Sequence, residues 1–288
     1  LSPLALGVKV ARTTGAKLIY DAHELETHRN GLGILKRKIV SYQENKYIRD
    51  ADVVITVSNS IAEHSASTYN IPVPYVVYNA PQINADITRN HESDIRAQIK
   101  IEPATPLCIY VGKITFNRGL ENLINSMVFY DELNVALLGP VHEPTLNKLL
   151  SLAEQLGVNK RLYIVKSVPP EKVISFINTA DVGIVPTIDI CLSYRYSMPN
   201  KLFEMTFARL PICVSNLPEQ RQFVEEIGNG LVFSKNEPKE IAACLKKCMT
   251  NKDKMLLSDE KFIEVKNKYS WAVQTRKLIN IYEKLCAN

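Results

Sequence analysis

A chain of 288 residues, 46% hydrophobic and 23% charged, has the composition of an ordinary globular protein and a length that suits two domains better than one. Its net charge of +5 fits an anionic ligand or an acidic membrane surface, but no long basic run or aromatic-basic interleaving points to nucleic acid. The six cysteines form no Cys-x-x-Cys pair and have no histidines at zinc spacing, and no apolar run approaches the ~18 residues of a membrane span. Cys244 and Cys248, four apart on a helix, read as buried small hydrophobes, and a reducing cytosol is the simplest compartment.

In chain order, residues 3–14 read as a helix, Lys17 to Tyr20 as a strand running into Asp21, Ala22, His23 and Glu24, and residues 33–50 as a basic amphipathic helix. Because the chain opens inside a helix and not on Met, the expectation is a fragment whose earlier strands are missing. Asp52 to Val57 predicts the next strand, residues 59–69 a helix, and Val73 to Tyr78 a third strand closing with Asn79, Ala80 and Pro81. Residues 83–92 are polar without an apolar period and predict a linker.

The second block has strands at 107–111, 134–138, 161–165, 182–186 and 211–215, each followed by a loop and a helix. Pro199 and Pro211 bracket one of these helices, with Leu202, Phe203, Thr206, Phe207 and Leu210 as its buried face and Glu204 pointing away. Trp271 to Leu285 is a final amphipathic helix. Strands alternating with helices predict an α/β protein of two Rossmann-like, doubly wound parallel-sheet domains facing a cleft, the first incomplete. The expected boundaries are 1–82, joined by the helix at 270–288, and 93–268.

Four loops collect at the cleft edge of the second block. Gly112, Lys113 and Arg118 lead into a helix amino terminus, whose free N–H groups favour a pyrophosphate. Gly139 permits close backbone approach to a ligand. Val168, beside Pro169 and Pro170, could offer backbone groups to a base, although a Pro-Pro helix start explains that loop equally well. The fourth loop, 187–198, is long for its place and delivers Lys201 and Glu204, a lysine for phosphate and a carboxylate for ribose hydroxyls. In the first block, Asp21, His23 and Glu24 stand at a strand end, where local turn bonding is the simpler explanation by spacing alone. Asp50 and Asp52 form an Asp-x-Asp at the wrong sheet edge for a metal site. Lys36, Arg37, Lys38, Lys46 and Arg49 make a basic face that is solvated by default, with peripheral membrane contact as the minority reading.

The segments Tyr20-Asp21-Ala22-His23-Glu24-Leu25, Ala51 to Ser58, Tyr78-Asn79-Ala80-Pro81, Gly112-Lys113 with Arg118-Gly119, Ala180 to Pro186 and Pro199 to Glu204 resemble, in order, those of the retaining glycosyltransferases of family 4. That family has the GT-B fold, and the likeness covers nearly the whole chain. The resemblance implies that Lys113 and Arg118 hold the donor diphosphate, Glu204 binds ribose and His23 contacts the transferred sugar. Ser197, Asn200 and Lys201, in a Tyr-Ser-x-Pro-Asn-Lys version of the loop, complete the donor-binding set. Two departures stand out: Tyr196 occupies a position where the family often has a second glutamate, and the family's first strands with their glycine-rich loop are absent.

The resulting expectation is a cytosolic transferase, peripheral at most to the inner face of the cell membrane. It would move a sugar from a UDP- or GDP-linked donor to a glycan or lipid-linked acceptor, with no metal and no cofactor beyond the substrate, this fragment alone being inactive. The rivals are a nucleotide-sugar 2-epimerase, which would want more acid/base groups in the cleft, and a nucleotide-binding module without chemistry.

Overall fold

In the computed structural model, residues 3–83 and 94–287 are described, so that positions 84–92 of the expected linker lie outside the described residues. The first sheet holds β1 (Ile19–Ala22), β2 (Val53–Thr56) and β3 (Tyr75–Val76) in the order β1-β2-β3. The second holds β4 (Leu107–Val111), β5 (Asn134–Leu138), β6 (Leu162–Val165), β7 (Val182–Val185), β8 (Ile212–Ser215) and β9 (Gly230–Phe233) in the order β6-β5-β4-β7-β8-β9. Both sheets are parallel throughout, since a helix intervenes between each strand and its successor within a sheet.

The chain divides into two compact units: residues 1–79 with 189–198 and 271–288, and residues 80–188 with 199–270. The core of the second unit is apolar and buried. Every residue of β4 and β5 is buried, as expected of strands covered on both faces, with Tyr110, Leu137, Val182, Ile184 and Cys213 in one apolar cluster. Chain order reverses between β4 and β7, so a crevice opens there at the carboxyl ends of the strands.

Several elements differ from expectation. β1 begins two residues late, because Asp52 Oδ2 accepts the Leu18 amide at 2.8 Å and strand pairing starts only at Ile19 with Val53. β3 is cut to two residues, as Pro72 and Pro74 have no N–H to give a ladder. The helix after Pro199 spans Asn200–Phe207, with Pro199 extended just ahead of it; Arg209, at φ 57°, has already left the helix, and Leu210 is buried beyond its end. β9 was not anticipated. Its four residues begin with Gly230, where a Cβ would overlap the Ile212 carbonyl oxygen of β8.

Candidate functional site: a cationic corner at the switch point

The loops after β4, β5 and β7 are pressed together by backbone contacts. The Gly112 amide donates to Leu138 O at 2.9 Å, Ile114 N to Pro140 O at 2.8 Å, and His142 N to Ile114 O at 2.9 Å, strapping 112–114 along 138–142. Gly139, at φ 150°, lies so near Gly112 that a Cβ would run into the Gly112 carbonyl, and a Cβ on Gly119 would meet the Pro186 carbonyl. Gly119 has φ 76° and caps the helix Leu120–Ser126, so this helix amino terminus opens at the crevice. Gly139→Ala should therefore lower stability by ~2 kcal/mol or more in urea titrations, because backbone on both sides must move. An unchanged denaturation midpoint would show that the loops are not in contact.

Into this packed corner the helix Asn200–Phe207 sends Lys201. Its ammonium lies 4.0 Å from the centroid of the Tyr110 ring, and a Cβ on Gly112 would come within 3.3 Å of Lys201 Nζ. The Tyr110 hydroxyl donates to Lys113 O at 3.1 Å, so one buried tyrosine supports both the lysine and the loop above it. Burial, then the Arg118 guanidinium, pull the Lys201 pKa from 10.5 down to about 7, against the opposing pull of Glu204. Glu204, one helical turn after Lys201, is raised above its ordinary carboxylate value by burial, an effect that Lys201 partly offsets. Two cations thus stand near one another in a partly buried corner, with the Glu204 carboxylate beside Lys201. An anion between Arg118 and Lys201 would relieve that repulsion.

Of the residues marked out by the sequence, Gly112, Arg118, Gly139, Lys201 and Glu204 come together in this corner. Lys113 is exposed in the loop, and exposed Asn200 opens the helix. Val168 follows β6 at the same sheet edge, two strands from β4, half-buried. His23 and Ser197 belong to the first unit. There, His23 follows β1 with Nε2 at 3.2 Å from Asp21 Oδ2 and Nδ1 at 3.4 Å from Asn79 Nδ2. Ser197 gives its hydroxyl to Tyr194 O at 2.8 Å. The 189–198 excursion is fastened within that unit by Tyr196, whose carbonyl accepts from Ser58 Oγ at 2.6 Å and whose ring packs with Leu25, Val57 and Ile61. Among the described residues, no group of three or more His, Cys, Asp or Glu is arranged to hold a metal ion.

The side chains that support this corner carry no signal in the sequence. Asn236 Nδ2 donates to Pro186 O at 2.9 Å, Asn122 Nδ2 donates to Asn236 O at 2.6 Å, and Gln220 Nε2 donates to Thr187 Oγ1 at 3.1 Å. Asn236 follows β9, so overlooking that strand hid it. Tyr110 offered only a buried strand position.

The doubly wound parallel domain brings cations, a helix amino terminus and a carboxylate to its switch point, the place where such sheets bind ligands. The family model for glycosyl transferases group 1 matches residues 91–267, and the chain belongs to that family. An uncharacterized glycosyltransferase of Methanocaldococcus jannaschii is 24% identical over 240 residues, 80% of this chain and 59% of the relative. A D-inositol 3-phosphate glycosyltransferase of Nocardia farcinica is 22% identical over 251 residues, 83% of this chain and 54% of the relative. The chain thus spans about half the length of the curated relatives it matches. Its fold is that of sucrose-phosphate synthase from Thermosynechococcus elongatus, with a TM-score of 0.79 at 16% identity over 98% of this chain and 71% of the other. Anabaena HepE, solved with UDP, superposes with a TM-score of 0.78 at 14% identity over 98% of this chain and 76% of the other. These neighbours are GT-B glycosyltransferases, and the two parallel sheets of this chain share their architecture.

Proposed function

We propose that the chain carries the donor-binding machinery of a retaining, family 4 glycosyltransferase, which moves a sugar from a nucleoside-diphosphate sugar to a glycan or lipid-linked saccharide. The observation that carries the proposal is the seating of Lys201 on Tyr110, beneath the Gly112 loop and beside Arg118, with Glu204 one turn away. Solved neighbours bind UDP and UDP-glucose, which supports a uridine donor. In this reading Arg118, Lys113 and Lys201 stabilise charge developing on the leaving diphosphate. Val168, Ser197 and Asn200 line the remainder of the donor site, and His23 touches the transferred sugar. Attack comes from the face the diphosphate leaves, with the diphosphate itself as base, and neither a metal nor a cofactor is required. The protein works in the cytoplasm.

A thermal-shift screen of nucleoside diphosphates and their sugars, run in a chelator, tests the reading. One nucleoside diphosphate at 100 times its dissociation constant should stabilise by ~2.7 kcal/mol, and no response to any of them would count against the site. Glu204 supplies a finer test. Wild type should prefer a ribonucleoside diphosphate over its deoxyribose analogues, and Glu204→Ala should erase ~1 to 2 kcal/mol of that preference, about tenfold in affinity. A variant that keeps full discrimination would remove Glu204 from the ribose.

A further inference from the structure

Asn236, which follows β9, ties together the two chain segments that meet at Gly119. Its Nδ2 donates to Pro186 O at 2.9 Å and to Thr187 O at 3.3 Å, just past the end of β7. Its backbone carbonyl and its Oδ1 accept from Asn122 Nδ2 at 2.6 Å and 3.2 Å, in the first turn of the helix Leu120–Ser126. A primary amide carries two hydrogens, so both of those on Asn236 are committed to carbonyls and its side chain has none left for a phosphate. The Pro186 carbonyl that Asn236 holds is the one against which Gly119 lies, so closely that a Cβ there would overlap it. Gly119 in turn caps the helix and follows Arg118 directly. Pro186, Asn236, Asn122 and Gly119 therefore close a ring, from strand end to amide, amide to helix, and helix cap back to strand end.

A side chain that only holds the fold together is worth the same to every ligand. One that sets Arg118 is worth something only to a ligand that Arg118 binds. We infer that, with this corner read as the seat of a donor diphosphate, Asn236 is a positioning residue: through Pro186 it sets Arg118 and the open end of the helix Leu120–Ser126 against the phosphates without touching them. Asparagine suits that task because it offers two donors and an acceptor on a short side chain. Aspartate has no donor for the two carbonyls, and serine has only one.

The test is calorimetry of the full chain with UDP and with uridine, comparing wild type, R118A, N236A and the double variant R118A, N236A. N236A should weaken UDP about tenfold, as expected for the loss of hydrogen bonds to two carbonyls, and should leave uridine within about twofold. Beside R118A the same substitution should cost less than about threefold, because the group it positions is gone. N122A cuts only the half of the tie that reaches the helix, and should show the same selectivity at about threefold. Where circular dichroism shows that N236A does not fold, N122A and its double with R118A carry the same comparison. A variant that binds UDP like wild type, that loses uridine in step with UDP, or that loses its full factor again beside R118A would overturn the inference and leave the diphosphate reading standing. R118A binding UDP like wild type would overturn both.

Discussion

Arg118→Ala should lower the affinity for a nucleoside diphosphate by about 10- to 150-fold, the ~1.5 to 3 kcal/mol of a hydrogen bond to a charged group, and should leave the bare nucleoside almost untouched. The selectivity follows from position. Arg118 lies beside Gly119 at the open end of the helix Leu120–Ser126, and its charge is already felt by Lys201. Exposed Lys113 is screened by water, so Lys113→Ala should cost less, within about fivefold. Calorimetry with diphosphate and nucleoside in parallel decides the matter: equal losses for the two ligands would show that Arg118 supports the fold and not the phosphates.

Lys201 gives binding a pH dependence of defined sign. In the free protein its ammonium is half deprotonated at about pH 7, whereas a bound diphosphate favours the charged form, so binding takes up a proton and affinity falls as pH rises above 7. The slope should approach tenfold per pH unit, and calorimetry in buffers of different ionisation enthalpy should register the proton. Stability without ligand runs the other way. The unfolded lysine keeps its proton up to 10.5 and the folded one releases it near 7, so the unfolded state binds more protons between those values and stability rises with pH there. Below pH 7 the full cost of burying the ammonium applies. Lys201→Met removes that cost and should stabilise the free protein at pH 6 by ~2 to 4 kcal/mol while abolishing most diphosphate binding. A variant less stable than wild type at pH 6, or binding that is flat with pH, would mean that Lys201 is not desolvated as described.

The parts of this site that were legible in the sequence are those where residue type alone carries the chemistry. Lys201 and Glu204, three apart after a helix-starting proline, announce a cation and a carboxylate on one side of a helix. Gly112 and Gly139 each follow an apolar run, where only a close approach explains a glycine. β4 and β5 were readable to the residue, because fully buried parallel strands are continuous apolar runs. Periodicity carries no information on tertiary partners. Tyr110 reads as core in any strand, and its service as a platform for Lys201 depends on a helix some ninety residues later. Tyr196 reads as a missing glutamate, yet its backbone is held by Ser58 and its ring by an apolar cluster of the first unit. β9 escaped because only three apolar residues, Leu231 to Phe233, follow Gly230, although that glycine is what lets the strand lie against β8. β3 was overread for the opposite reason: its residues are apolar, but its prolines cannot pair.

A diphosphate is expected between the Gly112–Gly119 loop and the start of the helix Asn200–Phe207. The most direct test is a crystal structure of the chain with UDP. The diphosphate oxygens should lie within about 3 Å of Lys201 Nζ and the Arg118 guanidinium, with the ribose hydroxyls on Glu204. A diphosphate found elsewhere, for instance in the cavity lined by Arg96, Lys100 and Lys252 at the opposite edge of the same sheet, with Lys201 still bare, would contradict the account.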